Sequence, residues 1–419
     1  MTDERRPLDA NAASQAGHEV TADRDTATPM REAWEDNAPT FAEVYGGAEL
    51  EADSLRPLLP VCGLPPWPDG PEDGHGWGTK MNRWLGGGLA PGEIVMIVAS
   101  AAKAGKTSFL AQLADGYALR TAEIMEKGPE AYKEHDPLTP VLWLSEMTVQ
   151  ELSWRQLARW SGHSGSSFRG GLTAREDKET ARDALAAFTA ASETLHKDSD
   201  DLLRKARSYM RIFRPSMSAG TDTAAGVYLI DAVAESVEAW RADLERKYKH
   251  RHPGHTRPCW PIIVIDPLQR WQDSGANSDV AALDQLIEAL DRYTTKHNWI
   301  VLVTSDTNKE SAKGTKTGGQ DNNPPKYITQ ERAAALARGT YKLFHLARAV
   351  IGLGDDPDAD KHDSKRGVLA SLAVFRAGMN ERGNGERTER FTFDGPTGRW
   401  TAEGPVKRAS GESSLREHE

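Results

Sequence analysis

Residues 100–108, which read Ser-Ala-Ala-Lys-Ala-Gly-Lys-Thr-Ser, have the residue types and spacing of a phosphate-binding loop. An apolar run at residues 94–98 precedes the segment, and a second apolar run at residues 109–114 follows it. The sequence therefore predicts a strand, a tight loop and a helix, which is the context that such a loop requires. The alternative is a Gly-Lys-Thr turn that opens an ordinary helix.

Each part of this loop has an expected role toward a bound nucleotide. Backbone N–H groups would surround the β- and γ-phosphates, and the N-terminus of the following helix adds positive potential. Lys106 would contact phosphate oxygens, and the Thr107 hydroxyl would bind Mg²⁺. Ser100 stands where the usual motif has its first glycine. The predicted nucleotide-binding residues are Ser100, Ala101, Ala102, Lys103, Ala104, Gly105, Lys106, Thr107 and Ser108.

Two carboxylates follow apolar runs that we interpret as strands. Asp266 follows residues 261–265 and would hold the Mg²⁺ shell from across the loop. Glu146 comes shortly after residues 141–144 and would polarise the water that attacks the γ-phosphate. The alternatives are an aspartate that caps a turn and a glutamate that the helix dipole favours at a helix N-terminus.

Polar residues also follow the strand predicted at residues 299–304. Asp306 would sense the γ-phosphate, or it belongs to an ordinary Asp/Asn turn. The loop beyond it carries Lys309, Lys313 and Lys316, and it would follow a nucleic-acid backbone. A solvated surface loop is the alternative.

Several downstream arginines are candidates for an arginine finger, which acts on the nucleotide of a neighbouring subunit. Each of them alone is more typical of a surface arginine than of a finger. They are Arg338, Arg348, Arg376 and Arg382.

Apolar runs alternate with helical patterns through the rest of the chain. Strands are predicted at residues 94–98, 141–144, 209–213, 261–265, 299–304, 350–353, 369–375 and 390–393. Helices are predicted at residues 107–125, 149–160, 174–208, 224–248, 279–297 and 331–337. This alternation predicts an α/β fold in which a mostly parallel central sheet is flanked by helices and binds ligands at the carboxyl ends of its strands.

Composition predicts the organisation of the chain. It has 419 residues, a net charge of −10 and two cysteines, Cys62 and Cys259. Residues 1–60 hold 13 acidic and 5 basic residues, which gives −8. We expect an acidic, largely disordered tail with a Pro/Gly linker at residues 1–76, an ATPase domain at 77–404 and a polar tail at 405–419. The sequence favours a cytoplasmic protein with reduced thiols and no membrane contact.

Taken in order, these motifs resemble the RecA-like ATPase domain of DnaB-type replicative helicases, with features of plasmid hexameric helicases. The resemblance covers residues 77–400 and implies ATP and Mg²⁺ as cofactors, with Lys106 and Glu146 catalytic and Arg376 acting in trans. It also implies a ring of subunits, expected to be a hexamer, on single-stranded DNA. The resembling segments are residues 85–94, 144–147, 151–157, 264–269, 301–305, 337–340, 347–350, 375–378, 391–394 and 398–400.

The expected function is therefore that of an ATP-hydrolysing motor, a DNA helicase or translocase in plasmid, phage or chromosomal replication. Asp306 replaces a glutamine of the family, and Val374 replaces the lysine of its finger. The large N-terminal domain that engages primase in the family has no counterpart in the acidic segment, so primase contact through that domain is not expected. Two alternatives remain, namely a RadA-like recombination or repair ATPase and a KaiC-like ATPase that has protein partners only.

Overall fold

The computed structural model describes the part of the chain that forms the central sheet and its flanking helices. The described residues are 85, 88–100, 104–130, 136–145, 147–162, 164–166, 186, 202–213, 225–271, 279–305, 330–337, 341–356, 359, 365–375 and 388–405. They all fall within a compact unit, Pro57–Glu419.

The elements alternate along the chain as the sequence predicts. The strands are β1 (Ile94–Ala99), β2 (Val141–Ser145), β3 (Met210–Phe213), β4 (Ile262–Asp266), β5 (Ile300–Thr304), β6 (Ala349–Asp355), β7 (Lys365–Phe375), β8 (Thr388–Asp394) and β9 (Arg399–Pro405). The α-helices are α1 (Lys106–Lys127), α2 (Val149–Ser161), α3 (Leu202–Arg207), α4 (Ala225–Arg251), α5 (Asp279–His297), α6 (Gln330–Leu336) and α7 (Tyr341–Leu346). Short 3-10 turns lie at Gly128–Glu130 and Leu268–Trp271.

The described strands form one sheet in the order β3-β2-β4-β5-β1-β6-β7-β8-β9. In this order, neighbouring strands pair in parallel from β3 across to β6. The remaining pairs, β6 with β7, β7 with β8 and β8 with β9, are antiparallel. The prediction of a mostly parallel central sheet is confirmed. Since β1 lies between β5 and β6, the loop that follows β1 leaves the sheet close to the carboxyl ends of its parallel neighbours.

Helices cover both faces of the sheet, so the central strands are apolar on both sides. On β1, Val95 and Ile97 pack into the core that contains α1, whereas Met96 and Val98 pack into the core that contains α4 and α5. Helix α1 is buried at every residue from Ser108 to Met125 except Glu123. The phosphate loop therefore lies between two well-packed elements, β1 and α1.

The structure differs from the predicted elements mainly near the C-terminal end. Strand β9 was not predicted, and β7 begins at Lys365, before the predicted residue 369. Strand β9 is an edge strand whose only buried large apolar side chain is that of Trp400, so its sequence lacks the apolar alternation typical of a strand. Of the helix predicted at 174–208, Leu202–Arg207 is described as a helix, and most of the remainder lies outside the described residues. Over the described part of the chain, no helix has the length and apolarity needed to cross a membrane.

Cys259 lies in the core between the sheet and α4, with 3% of its surface exposed. Burial raises the pKa of its thiol well above the usual value, which suppresses the reactive thiolate at neutral pH.

In a Cys62→Ser background we expect native protein to resist the thiol reagent DTNB and to react at one thiol after unfolding in guanidinium. Fast labelling of the native Cys62→Ser protein would contradict this burial.

Candidate functional site

The phosphate loop is anchored at both of its ends. At its start, the backbone N–H of Ser100 donates to the carbonyl of Leu353 on β6 at 2.9 Å. At its end, Gly105 adopts a left-handed conformation with φ of 88°, which glycine tolerates best, and its carbonyl accepts from the N–H of Phe109 at 2.8 Å. Helix α1 therefore begins within the predicted loop segment, at Lys106. Ala104, two residues before the helix, is buried.

The first turn of α1 favours an anion. The N–H groups at a helix N-terminus and the helix dipole give positive potential, and no acidic residue occupies this turn. Lys106 adds a full positive charge, and Thr107 adds a hydroxyl. The arrangement has the electrostatic character that a phosphate group requires.

Asp266 lies at the end of β4 and meets the start of α1. Its carboxylate accepts a hydrogen bond from the Thr304 hydroxyl at 2.5 Å and another from the Thr107 hydroxyl. Burial raises the pKa of Asp266, and these hydrogen bonds and the charges of Lys106 and Arg155 offset part of that effect. The structure thus brings together three predicted site residues, Lys106, Thr107 and Asp266.

This donor set fits Mg²⁺. The hydroxyl of Thr107 and the carboxylate of Asp266 are hard oxygen ligands, which Mg²⁺ prefers, and Mg²⁺ is usually held by one or two carboxylates together with phosphates. The side chains of Thr107 and Asp266 lie next to each other, so both could contribute oxygen atoms to one cation.

The residues on both sides of Glu146 are held in place by hydrogen bonds at the carboxyl end of β2, next to the end of β4. Ser145 is the register partner of Asp266, and its hydroxyl accepts a hydrogen bond from the N–H of Met147 at 3.1 Å. Helix α2 then begins with a capping box, in which the Thr148 hydroxyl accepts from the N–H of Glu151 at 3.1 Å and the Glu151 carboxylate accepts from the N–H of Thr148 at 2.9 Å. These contacts fix the residues that flank Glu146.

A side-chain hydrogen bond joins the ends of β4 and β5. The Gln269 amide donates to the Ser305 hydroxyl at 2.8 Å, and the Ser305 N–H donates to the carbonyl of Ile97 on β1 at 3.3 Å. Sequence reasoning placed Gln269 only within the segment that resembles the helicase family. Its connection to the strand before Asp306 gives it a structural role that the motif alone does not reveal.

Helices α1 and α2 are held together by a buried carboxylate that sequence reasoning missed. Asp115 accepts hydrogen bonds from Gln156 at 2.8 Å, from Nε of Arg159 at 2.9 Å and from the indole of Trp160 at 3.2 Å. Nη2 of Arg159 forms an ion pair with the same carboxylate at 2.8 Å. Burial raises the pKa of Asp115, and the charge of Arg159 is the largest opposing influence. The only signal in the sequence was an acidic residue within the apolar pattern of α1.

The roles of the other predicted site residues remain predictions. Ser108 is described and lies buried in the first turn of α1. Those outside the described residues are Ala101, Ala102, Lys103, Glu146, Asp306, Lys309, Lys313, Lys316 and Arg376.

Comparison with known proteins identifies a family and a fold. A protein-family profile described as an AAA domain matches residues 68–312. A solved structure of an ATPase domain is 18% identical with a TM-score of 0.51, and the match covers 88% of this chain and 99% of that chain. A second, titled "The Structure Of A DnaB-Like Replicative Helicase And Its Interactions With Primase", is 16% identical with a TM-score of 0.51, covering 91% and 72%. A search of curated proteins gives no match.

At these levels of identity the structural likeness concerns the fold. The chain has the RecA-like α/β fold of the ATPase domains in DnaB-type helicases, as the motifs predicted. The parallel strands that carry the phosphate loop and Asp266 belong to this common fold.

The buried carboxylate between α1 and α2 leads to a stability prediction. Asp115→Ala should lower the free energy of unfolding by about 3–5 kcal/mol, because Arg159 would stay buried without its counter-charge. Glu123→Ala is the control on the same helix; it removes a partly exposed ion pair with Lys127 and should cost about 0.3–0.5 kcal/mol. Urea denaturation followed by circular dichroism measures both, and equal losses would contradict the assignment of Asp115.

Proposed function

Because the chain belongs to the AAA domain family, we propose that its ATPase-type domain binds ATP with Mg²⁺ at the phosphate loop and hydrolyses it. The observation that carries this proposal is the contact between the Thr107 hydroxyl and the Asp266 carboxylate beside the charge of Lys106. Three residues from two separate elements converge on the N-terminus of a buried helix, where a triphosphate and a divalent cation are both favoured.

The described residues would act mainly by binding and orienting the nucleotide. Lys106 and the N–H groups at the start of α1 would hold the β- and γ-phosphates, and Thr107 and Asp266 would hold Mg²⁺. Bound Mg²⁺ would neutralise charge on the phosphate oxygens. The hydrogen bond between Thr107 and Asp266 keeps these two oxygen ligands together at the carboxyl ends of the parallel strands.

We assign the catalytic base to Glu146. It follows Ser145, the register partner of Asp266, at the edge of the sheet where the nucleotide would lie. A carboxylate there would orient and deprotonate the attacking water. Arg376 would complete the site from a neighbouring subunit of a ring, which we propose to be hexameric, and Asp306 would sense the γ-phosphate.

We further propose that hydrolysis drives movement along single-stranded DNA, with unwinding as the output in replication. Residues Lys309, Lys313 and Lys316 follow β5, which pairs with both β1 and β4. Changes at the nucleotide would therefore reach this lysine-bearing segment through the strand ends, where Gln269 bonds to Ser305. One of the solved structures described above is titled as a DnaB-like replicative helicase, which supports this choice over an ATPase without DNA.

The catalytic assignment predicts a separation of binding from turnover. Glu146→Gln should keep Mg²⁺-ATP affinity and lower kcat by about 10²–10⁴-fold, because the amide cannot accept the proton of water. Lys106→Ala, in contrast, should lose binding itself. Fluorescent-nucleotide titration and phosphate-release assays measure the two effects. Wild-type turnover in Glu146→Gln would exclude this residue as the base.

The DNA assignment predicts that single-stranded DNA stimulates ATP hydrolysis at low salt. Replacing Lys309, Lys313 and Lys316 with alanine should weaken DNA binding and reduce its salt dependence, since fewer counterions are released. The unstimulated ATPase rate should stay the same. If DNA neither binds nor stimulates hydrolysis, an ATPase with protein partners only becomes the better assignment. If DNA stimulates hydrolysis but the protein does not displace a strand of forked DNA, a recombination-type ATPase is favoured.

The ring assignment predicts a change in mass with nucleotide. Light scattering coupled to size-exclusion chromatography, with and without Mg²⁺-ATP and single-stranded DNA, should detect a hexamer. A particle that stays monomeric in all conditions would leave Arg376 without a nucleotide to act on, and it would contradict the ring.

A further inference from the structure

The hairpin formed by β8 and β9 docks on the helix that follows the phosphate loop. The Gln112 side chain on α1 donates to the carbonyl of Trp400 at 2.8 Å and accepts from its N–H at 2.8 Å. Both hydrogen bonds are buried. They fix the backbone of β9 at Trp400 against the second turn of α1.

Aromatic packing places the Trp400 ring at the N-terminus of α1. The ring centroid lies 5.2 Å from that of Phe109 in an edge-to-face arrangement, and 4.8 Å from that of Phe393, its register partner on β8. Phe391 completes the cluster at 6.2 Å from Phe109. Such pairs contribute beyond their buried area, so the position of the indole is well determined.

The rings of Trp400 and Phe393 form a surface against which Gly105 packs. A Cβ atom added to Gly105 would lie 2.7 Å from Cζ2 of Trp400 and 3.2 Å from Cζ of Phe393. No side chain fits there, because the indole is almost completely buried and has little room to move. The two rings therefore occupy the space beside Gly105 that a side chain would need.

The indole of Trp400 lowers the stability of the fold in one respect that a phenylalanine would avoid. In the described structure, the buried Nε1–H of Trp400 has no hydrogen-bond partner, and burying an unpaired donor is unfavourable. An indole is longer than a phenyl ring, and the atom nearest to a Cβ added at Gly105 is Cζ2 of Trp400, which a phenylalanine lacks. The size of the side chain, not its polarity, is the property that the site uses.

We infer that Trp400, with Phe393, is a positioning residue for the phosphate loop. The two rings hold Gly105 in its left-handed conformation, and this sets the direction in which the N–H groups at the start of α1 would face the phosphates. The hairpin formed by β8 and β9 thereby supports the nucleotide site without contacting the nucleotide. This inference rests on the proposed nucleotide binding and identifies what pre-organises it.

The test uses the full chain with Trp400→Phe, which keeps an aromatic ring in the cluster but removes the atom that reaches Gly105. Two readouts are compared with wild type. One is the Kd of a fluorescent ATP analogue with Mg²⁺, which we expect to weaken about tenfold, equivalent to about 1.4 kcal/mol. The other is the rate of tryptic cleavage after Lys103 and Lys106 without nucleotide, which should rise as the loop loses its support.

Phe391→Leu is the matched control, because it removes a buried ring of the same cluster, whereas the ring atoms nearest to the Gly105 position belong to Trp400 and Phe393. It should lower the melting temperature and leave both readouts unchanged. Unchanged readouts in Trp400→Phe would overturn the inference, and so would equal changes in Phe391→Leu. If wild type and Lys106→Ala both fail to bind the analogue, the proposed function fails, and the cleavage rates still decide the role of Trp400.

Discussion

The burial of the Asp115 carboxylate constrains the geometry of the whole site. A charge removed from water destabilises the fold unless its partners are complete, so Gln156, Arg159 and Trp160 must all face α1. This requirement fixes the rotation of α2 and its distance from α1. Because α1 begins at the phosphate loop and α2 begins just after β2, one carboxylate determines the spacing between the loop and the end of β2.

Most of the fold could be predicted because its strands are buried on both faces and are therefore continuous apolar runs. Met96 and Ile97, for example, are both fully buried although they face different cores. Strand β9 could not be predicted this way. It lies at the edge of the sheet, and its stability comes from Trp400 and from hydrogen bonds to β8, neither of which produces a periodic pattern.

For the candidate site, the sequence could predict residues that belong to contiguous motifs. Thr107 and Asp266 were expected to act together, and the structure places them in contact. Contacts set by packing gave no such signal. Asp115 and Arg159 are 44 positions apart, and the indole that supports Gly105 belongs to a segment known only by family resemblance. Residues such as these can be identified only once the structure shows which side chains surround them.

The hydrogen bonds between Gln112 and Trp400 join residues 288 positions apart in the chain. A ribosome adding roughly 5–20 residues per second would make β9 about 15–60 s after α1. During that interval the ring of Phe109 lacks its partners on the hairpin. The first part of the site to be synthesised is therefore among the last to be completed.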